Sequence, residues 1–236
     1  MQFGTDGIRG VAGTDITTSL AYRLGRAVAE VFSLTTCVGY DTRESSPDLA
    51  AAVLQGLVDG GVTARNLGVF TTPGVAVMAA EANGVGVVIS ASHNPYTDNG
   101  LKVFGPGGSK LDRDTEQRIS EALRRAPEAS EATPHLDIDV SAHALYLERL
   151  RSRLADNAFE GLYLVLDCSN GAASHLAPEF FRSLGARVDV LSHQPNGRNI
   201  NDHCGSTHPE NLQRAVLDRG ADLGLAFDGD ADRLVA

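Results

Sequence analysis

Asp228, Asp230 and Asp232 stand at alternate positions in the segment DGDADR. In an extended stretch, side chains two residues apart point the same way, so three carboxylates would converge on one spot. Left alone they repel and raise one another's pKa values, and a cation among them removes that repulsion. Oxygen-only ligands select a hard ion such as Mg²⁺ or Ca²⁺. An EF-hand does not fit, because its loop needs Gly at the sixth position, where this chain has Arg233, and a helix before it, where the pattern reads as strand. The plain alternative is a solvated acidic turn. A second group of capable residues lies in SASHNPYTDNGLK. Ser92 and His93 precede Asn94-Pro95, a turn former, and Asp98, Asn99 and Gly100 predict a second turn that presents Lys102. A hydroxyl nucleophile, an imidazole and an ammonium thus share one short region. A lone serine there is more often a cap or turn former, and a lone histidine more often structural. Nearer the N-terminus, FGTDGIRG sets Arg9 between turn-forming glycines. Arg9 is either an incidental charge on a mobile arm or a planar guanidinium offered to an oxyanion or phosphate.

These loops need elements to hold them, and the chain supplies strands alternating with helices. TCVGYD predicts a strand, and Ser46-Pro47 the cap and first turn of a helix striped by Leu49, Val53 and Leu57, which Gly60-Gly61 stops. VTARNLGVF, TPGVAVMAAEANG and VGVVIS follow as strand, helix and buried strand. After Gly161 the order repeats: LYLVLDC, a helix with Leu176, Phe180 and Leu184 on one face, then ARVDVLS. A helix opened by a Thr207–Glu210 capping box carries Leu212 and Val216, and ADLGLAF closes the unit. Residues 124–143, rich in Ala, Pro and acid, read as a linker, and a helix around Leu147, Leu150 and Leu154 leads out of it. The expected architecture is α/β: two consecutive three-layer α/β/α domains with mostly parallel sheets, residues 1–141 and 142–236. Ligands gather beyond the carboxyl ends of strands in such sheets, and SASHNP and DGDADR each follow a third strand.

Composition narrows the chemistry further. Twenty Lys and Arg against thirty Asp and Glu leave a formal charge of −10, which argues against nucleic acid or an anionic membrane surface as partner. A small phosphorylated ligand is still compatible, because it responds to local charge. Cys37, Cys168 and Cys204 are odd in number, far apart and outside any ligand spacing, which suits a reducing compartment better than a disulfide framework. No secretory signal and no bilayer-length apolar run is present, and the expected location is the cytoplasm.

GTDGIRG, ASHNP with the following NGLKVF, and DGDADR occur in the order found in α-D-phosphohexomutases, and the chain resembles that family. The stretch NGRNINDHCGSTHPENL further resembles its bacterial phosphoglucosamine mutase branch. The resemblance covers the whole chain and the first two of the family's four domains. It implies that Ser92 is the phosphorylated nucleophile, and that Asp228, Asp230 and Asp232 bind one Mg²⁺ together with an oxygen of the Ser92 phosphate. It implies catalytic roles for Ser92, Lys102, His93 and Arg9, with Lys102 as acid or base, and phosphate binding by Arg9, Arg233 and Asn94. The implied partner is a small phosphosugar, and the implied reaction interconverts glucosamine 6-phosphate and glucosamine 1-phosphate through a bisphosphorylated sugar. Phosphomannomutase or phosphoglucomutase chemistry, a non-catalytic metal- and phosphosugar-binding fragment, and a phosphatase with an aspartate nucleophile are the alternatives. Position 231 departs from the family, which usually has Gly where this chain has Ala; a left-handed backbone there would strain it. The ending LVA reads as the start of another strand, so the chain is expected to be truncated, to bind a divalent cation and to show little or no turnover.

Overall fold

The computed structural model describes residues 7–128 and 136–236. Phe3 to Asp6 of the N-terminal motif and residues 129–135 of the expected linker lie outside the described residues. The chain divides into two compact units, the first formed by residues up to 40, 45–91 and 97–139, the second by residues 41–44, 92–96 and 140–236.

The first unit is built on a five-stranded sheet. Its strands are β1 (Ile8–Val11), β2 (Thr36–Tyr40), β3 (Ala64–Val69), β4 (Val85–Ile89) and β5 (Asp98–Phe104), in spatial order β1-β5-β4-β2-β3. β2 runs parallel to both β3 and β4, while β5 pairs antiparallel with β4 and with β1. Alternation along the strands sends Val38, Val85, Val87, Ile89 and Val103 to one face. There they pack with Leu24 and Val28 of α1 (Thr18–Phe32), Leu49, Val53 and Leu57 of α2 (Ser46–Asp59), and Ile119 and Leu123 of α4 (Arg113–Arg125). Gly39 and Gly86 point the other way, where Val75 of α3 (Thr72–Glu81) covers them.

Three local readings change here. Asp98–Gly100 are strand rather than turn, because β5 finds partners on both sides, and Arg9 sits in β1 opposite Gly100 rather than on a free arm. The N-cap of α2 is Ser45 rather than Ser46, and its side chain makes no cap; the Ser45 and Ser46 hydroxyls instead accept hydrogen bonds from Asn99 Nδ2, at 2.9 and 3.0 Å. Part of the expected linker is structured: Asp139 pairs with Arg65 at 2.6 Å, and Ile138 bridges to Asn66 beside β3.

In the second unit, β6 (Tyr163–Asp167), β7 (Arg187–Leu191), β8 (Leu223–Phe227) and β9 (Leu234–Val235) form a sheet in order β7-β6-β8-β9. The first three are parallel, and β9 turns back antiparallel on β8. Leu164 and Leu166 pack on one face with Ala173 and Ala177 of α6 (Ala173–Ser183), and Val165 packs on the other with Leu212 and Val216 of α7 (Glu210–Arg219). Both units are therefore three-layered with mixed sheets, whose pairings taken together are mostly parallel. The expected capping box is absent: Thr207 lies in a short 3₁₀ turn, Pro209 precedes α7, and no side chain caps it. The helix expected around Leu147 is α5 (Ser141–Arg151), and Leu154 lies beyond its end, exposed.

Candidate functional site

β8, buried at Leu225 and Ala226, leads into the buried Asp228, and the chain then folds into a tight turn rather than continuing extended. The Ala231 amide donates to the Asp228 carbonyl at 3.1 Å, and Ala231 takes the left-handed conformation, φ +58°. The Arg233 amide returns to Asp228 Oδ1 at 3.1 Å. Asp228, Asp230 and Asp232 do converge, with one carboxylate oxygen from each within 4.8 Å of the others. The turn brings them together, not the alternation of an extended strand. Asp228 and Asp230 are buried and Asp232 is exposed, so the cluster has a closed side and an open one.

Against this turn lies the segment 92–96 of the same unit. The Ser92 hydroxyl donates to Asp228 Oδ2 at 2.6 Å. Ser92 is buried and also left-handed, φ +53°. His93 Nδ1 lies 3.3 Å from Ser92 Oγ and 3.5 Å from Arg233 Nη1.

The structure therefore gathers Ser92, His93, the three aspartates and Arg233. Asn94 enters through its carbonyl, which accepts from Arg43 Nη2 at 2.6 Å and Asn201 Nδ2 at 3.1 Å. Arg9 and Lys102 belong to the first unit. The register pairs Arg9 with Gly100, so Arg9 and Lys102 stand on one face of the β1–β5 ribbon as diagonal neighbours. Lys102 Nζ sits 5.1 Å above the Phe104 ring.

Four residues of the site escaped the sequence reading. Arg43 and Asp41 are fully buried and ion-paired, Asn201 reaches the Ser92 carbonyl at 2.9 Å, and Gly229 lies beneath it. A Cβ on Gly229 would come within 2.6 Å of the Ser92 oxygen, so only glycine allows that approach. DTRESS looks like an ordinary polar turn, and nothing in it announces a buried arginine. The only available hint was DTR directly after a strand, at the edge where ligands gather.

Residues 1–130 match the phosphoglucomutase/phosphomannomutase family in its alpha/beta/alpha domain I, and residues 144–236 match its domain II. The chain belongs to the phosphoglucomutase/phosphomannomutase family. A phosphoglucosamine mutase of Rhodococcus opacus is 47% identical over 248 residues, 99% of this chain and 55% of that protein. The chain thus spans about half the length of the relatives it matches. A Burkholderia thailandensis structure, a phosphoglucomutase/phosphomannomutase family protein, superposes with TM-score 0.77 at 31% identity, over 96% of this chain and 52% of that one. A Thermus thermophilus structure, provisionally named a phosphomannomutase, gives TM-score 0.85 at 25% identity, over 99% and 56%.

The acid cluster of this family member fits a hard cation on its own chemistry. Its donors are all carboxylate oxygens, two of the three residues are buried, and Arg233 is the one guanidinium of the loop that carries them. Three carboxylates against one guanidinium leave an excess that a divalent ion matches.

Proposed function

We propose that these residues carry the phosphoryl group and the metal of a mutase that interconverts glucosamine 6-phosphate and glucosamine 1-phosphate. The observation that carries the reading is the Ser92 hydroxyl, 2.6 Å from Asp228 at the edge of a three-carboxylate cluster. The identity to phosphoglucosamine mutases, 47% in the Rhodococcus opacus protein, favours an amino sugar over glucose or mannose.

In this reading Ser92 begins each cycle as a phosphoserine. It gives its phosphoryl group to the free hydroxyl of the bound sugar phosphate: the Ser92 Oγ–P bond breaks, an O–P bond to the sugar forms, and a bisphosphorylated sugar results. That sugar turns over and returns its other phosphoryl group to Oγ, releasing the isomeric monophosphate. Asp228, Asp230, Asp232 and a phosphate oxygen on Ser92 would hold Mg²⁺, which would supply charge neutralisation for the transferring group. Between transfers Asp228 Oδ2 holds the Ser92 hydroxyl proton. His93, beside Oγ, and Arg233, beside His93, orient phosphate oxygens; Asn94 completes the turn they sit on. Lys102 moves the proton of the sugar hydroxyl, and Arg9 binds phosphate from the same strand face. An acidic chain can hold a phosphorylated ligand in this way because the opposing charge is local.

The location we propose is cytoplasmic. Buried, unpaired Cys37, Cys168 and Cys204 support a reducing compartment, and no helix among the described residues is long and apolar enough to cross a membrane. Incubation with Mg²⁺ and a hexose 1,6-bisphosphate, followed by intact-mass analysis, tests the carrier role. A phosphate-sized increment on the parent chain that is absent from Ser92→Ala is the expected result. Equal modification of both proteins would refute it, and would favour an aspartate as the phosphorylated group.

A further inference from the structure

Ser92 and Asn94 present two carbonyls that share two donors. Arg43 Nη2 lies 3.2 Å from the Ser92 oxygen and 2.6 Å from that of Asn94. Asn201 Nδ2 lies 2.9 Å from the first and 3.1 Å from the second. Each NH₂ group thus spends its two hydrogens on the same pair of oxygens, which makes a four-bond clamp from two sides. The clamp is itself braced. Asp41 holds Arg43 through Nη1, and accepts the Arg43 amide on Oδ1 at 3.1 Å. Asn201 is left-handed, φ +58°, with its amide bonded to the Ser169 carbonyl at 2.9 Å.

We infer that Arg43 and Asn201 are positioning residues that aim the Ser92 hydroxyl at the aspartate cluster. Left-handed backbone is unfavourable for serine, and an unheld loop would relax to ordinary φ. Fixing both carbonyls on one side keeps Ser92 at φ +53°, so that Oγ leaves on the other side and meets Asp228. Burying a guanidinium and a carboxylate is costly, and a plain turn needs neither. What this arrangement adds is a fixed separation between nucleophile and metal ligands, which phosphoryl transfer depends on. Lysine is a poorer substitute: its three donors radiate from one nitrogen and lack the planar fork that reaches Asp41 and the carbonyl pair from separate nitrogens.

The inference rests on the metal reading above, and the test separates the two. In a Ser92→Cys background, saturation with Co²⁺ is expected to give a thiolate-to-metal charge-transfer band in the near ultraviolet. The native cysteines are buried, and the chain without Ser92→Cys serves as the blank. Adding Asn201→Ala, or the isosteric Asn201→Asp, is expected to abolish the band while calorimetry still finds Co²⁺ bound. Arg43→Lys is expected to weaken it. A full band in the Asn201 variants would overturn the clamp. So would loss of Co²⁺ binding itself, which would make Asn201 part of the cluster's scaffold rather than an aiming device. In the Ser92→Cys parent, absence of Co²⁺ binding by calorimetry would sink the metal reading and the clamp with it, whereas Co²⁺ bound without the band would overturn the aiming role alone. Should Arg43→Lys fail to fold, the two Asn201 variants carry the decision alone.

Discussion

Gly229→Ala adds one methyl at the point where two loops of the site meet. The new Cβ would lie 2.6 Å from the Ser92 carbonyl oxygen, 2.9 Å from Asn201 Nδ2 and 2.9 Å from Ile200 Cδ1. Ordinary contact begins near 3.4 Å, so the carbonyl must retreat by about 0.8 Å. Its bonds from Asn201 and Arg43, 2.9 and 3.2 Å, cannot both survive such a shift. Overpacking costs about 1–3 kcal/mol, and an unmade buried hydrogen bond about 1–3 kcal/mol more. The expected loss is therefore about 2–6 kcal/mol, read by urea denaturation of the parent and variant. Gly220→Ala is the matched control, because Gly220 ends α7 at φ +62° with nothing within 4 Å of its would-be Cβ. That change carries only backbone strain, about 1 kcal/mol. If Gly229→Ala proves no more destabilising than Gly220→Ala, the close approach that builds the site is wrong.

Ala231 is left-handed, so Ala231→Gly should leave the midpoint of thermal unfolding unchanged or raise it, by no more than about 1 kcal/mol, whereas Ala231→Val should lower it. Equal midpoints for all three proteins would show that the turn is not held at that φ. Mg²⁺ at about 100 times its dissociation constant should stabilise the parent by about 2.7 kcal/mol in a thermal scan. Asp228→Asn should lose most of that gain, and an undiminished gain would remove Asp228 from the ligand set. Burial pushes the Cys168 thiol up to about 12. The unfolded thiol ionises first as pH rises, so the unfolded state is the one favoured. The contribution of this thiol should thus be intact below about pH 8.5 and fall by up to about 1.4 kcal/mol per pH unit above it. Cys168→Ala should flatten that slope, and identical pH profiles would disprove the cause.

The layers of both units were legible because strands such as VGVVI and LYLVLD are continuous and apolar, and because apolar stripes mark α2 and α7. The antiparallel strands β1 and β5 were hidden by their own glycines: GIRG and DNG look like turns until a neighbour pairs with them. The acid cluster was legible in composition but not in geometry. Alternating aspartates predicted convergence along a strand, whereas a turn at Ala231 produces it, and spacing alone does not distinguish the two. Ser92 and His93 could be found from their motif. Arg43, Asp41 and Asn201 could not, because a buried ion pair in a polar turn has the same letters as a solvated one. Its role depends on which carbonyls come within reach, and those are set by tertiary contact.

An anomalous difference map from crystals soaked in Mn²⁺ would test the central claim, that Ser92 and the three aspartates form one metal-dependent site. A single peak is expected, bound by carboxylate oxygens of Asp228, Asp230 and Asp232 at about 2.0–2.6 Å, with Ser92 Oγ facing it. A manganese peak at other residues, with none at this cluster, would contradict the account.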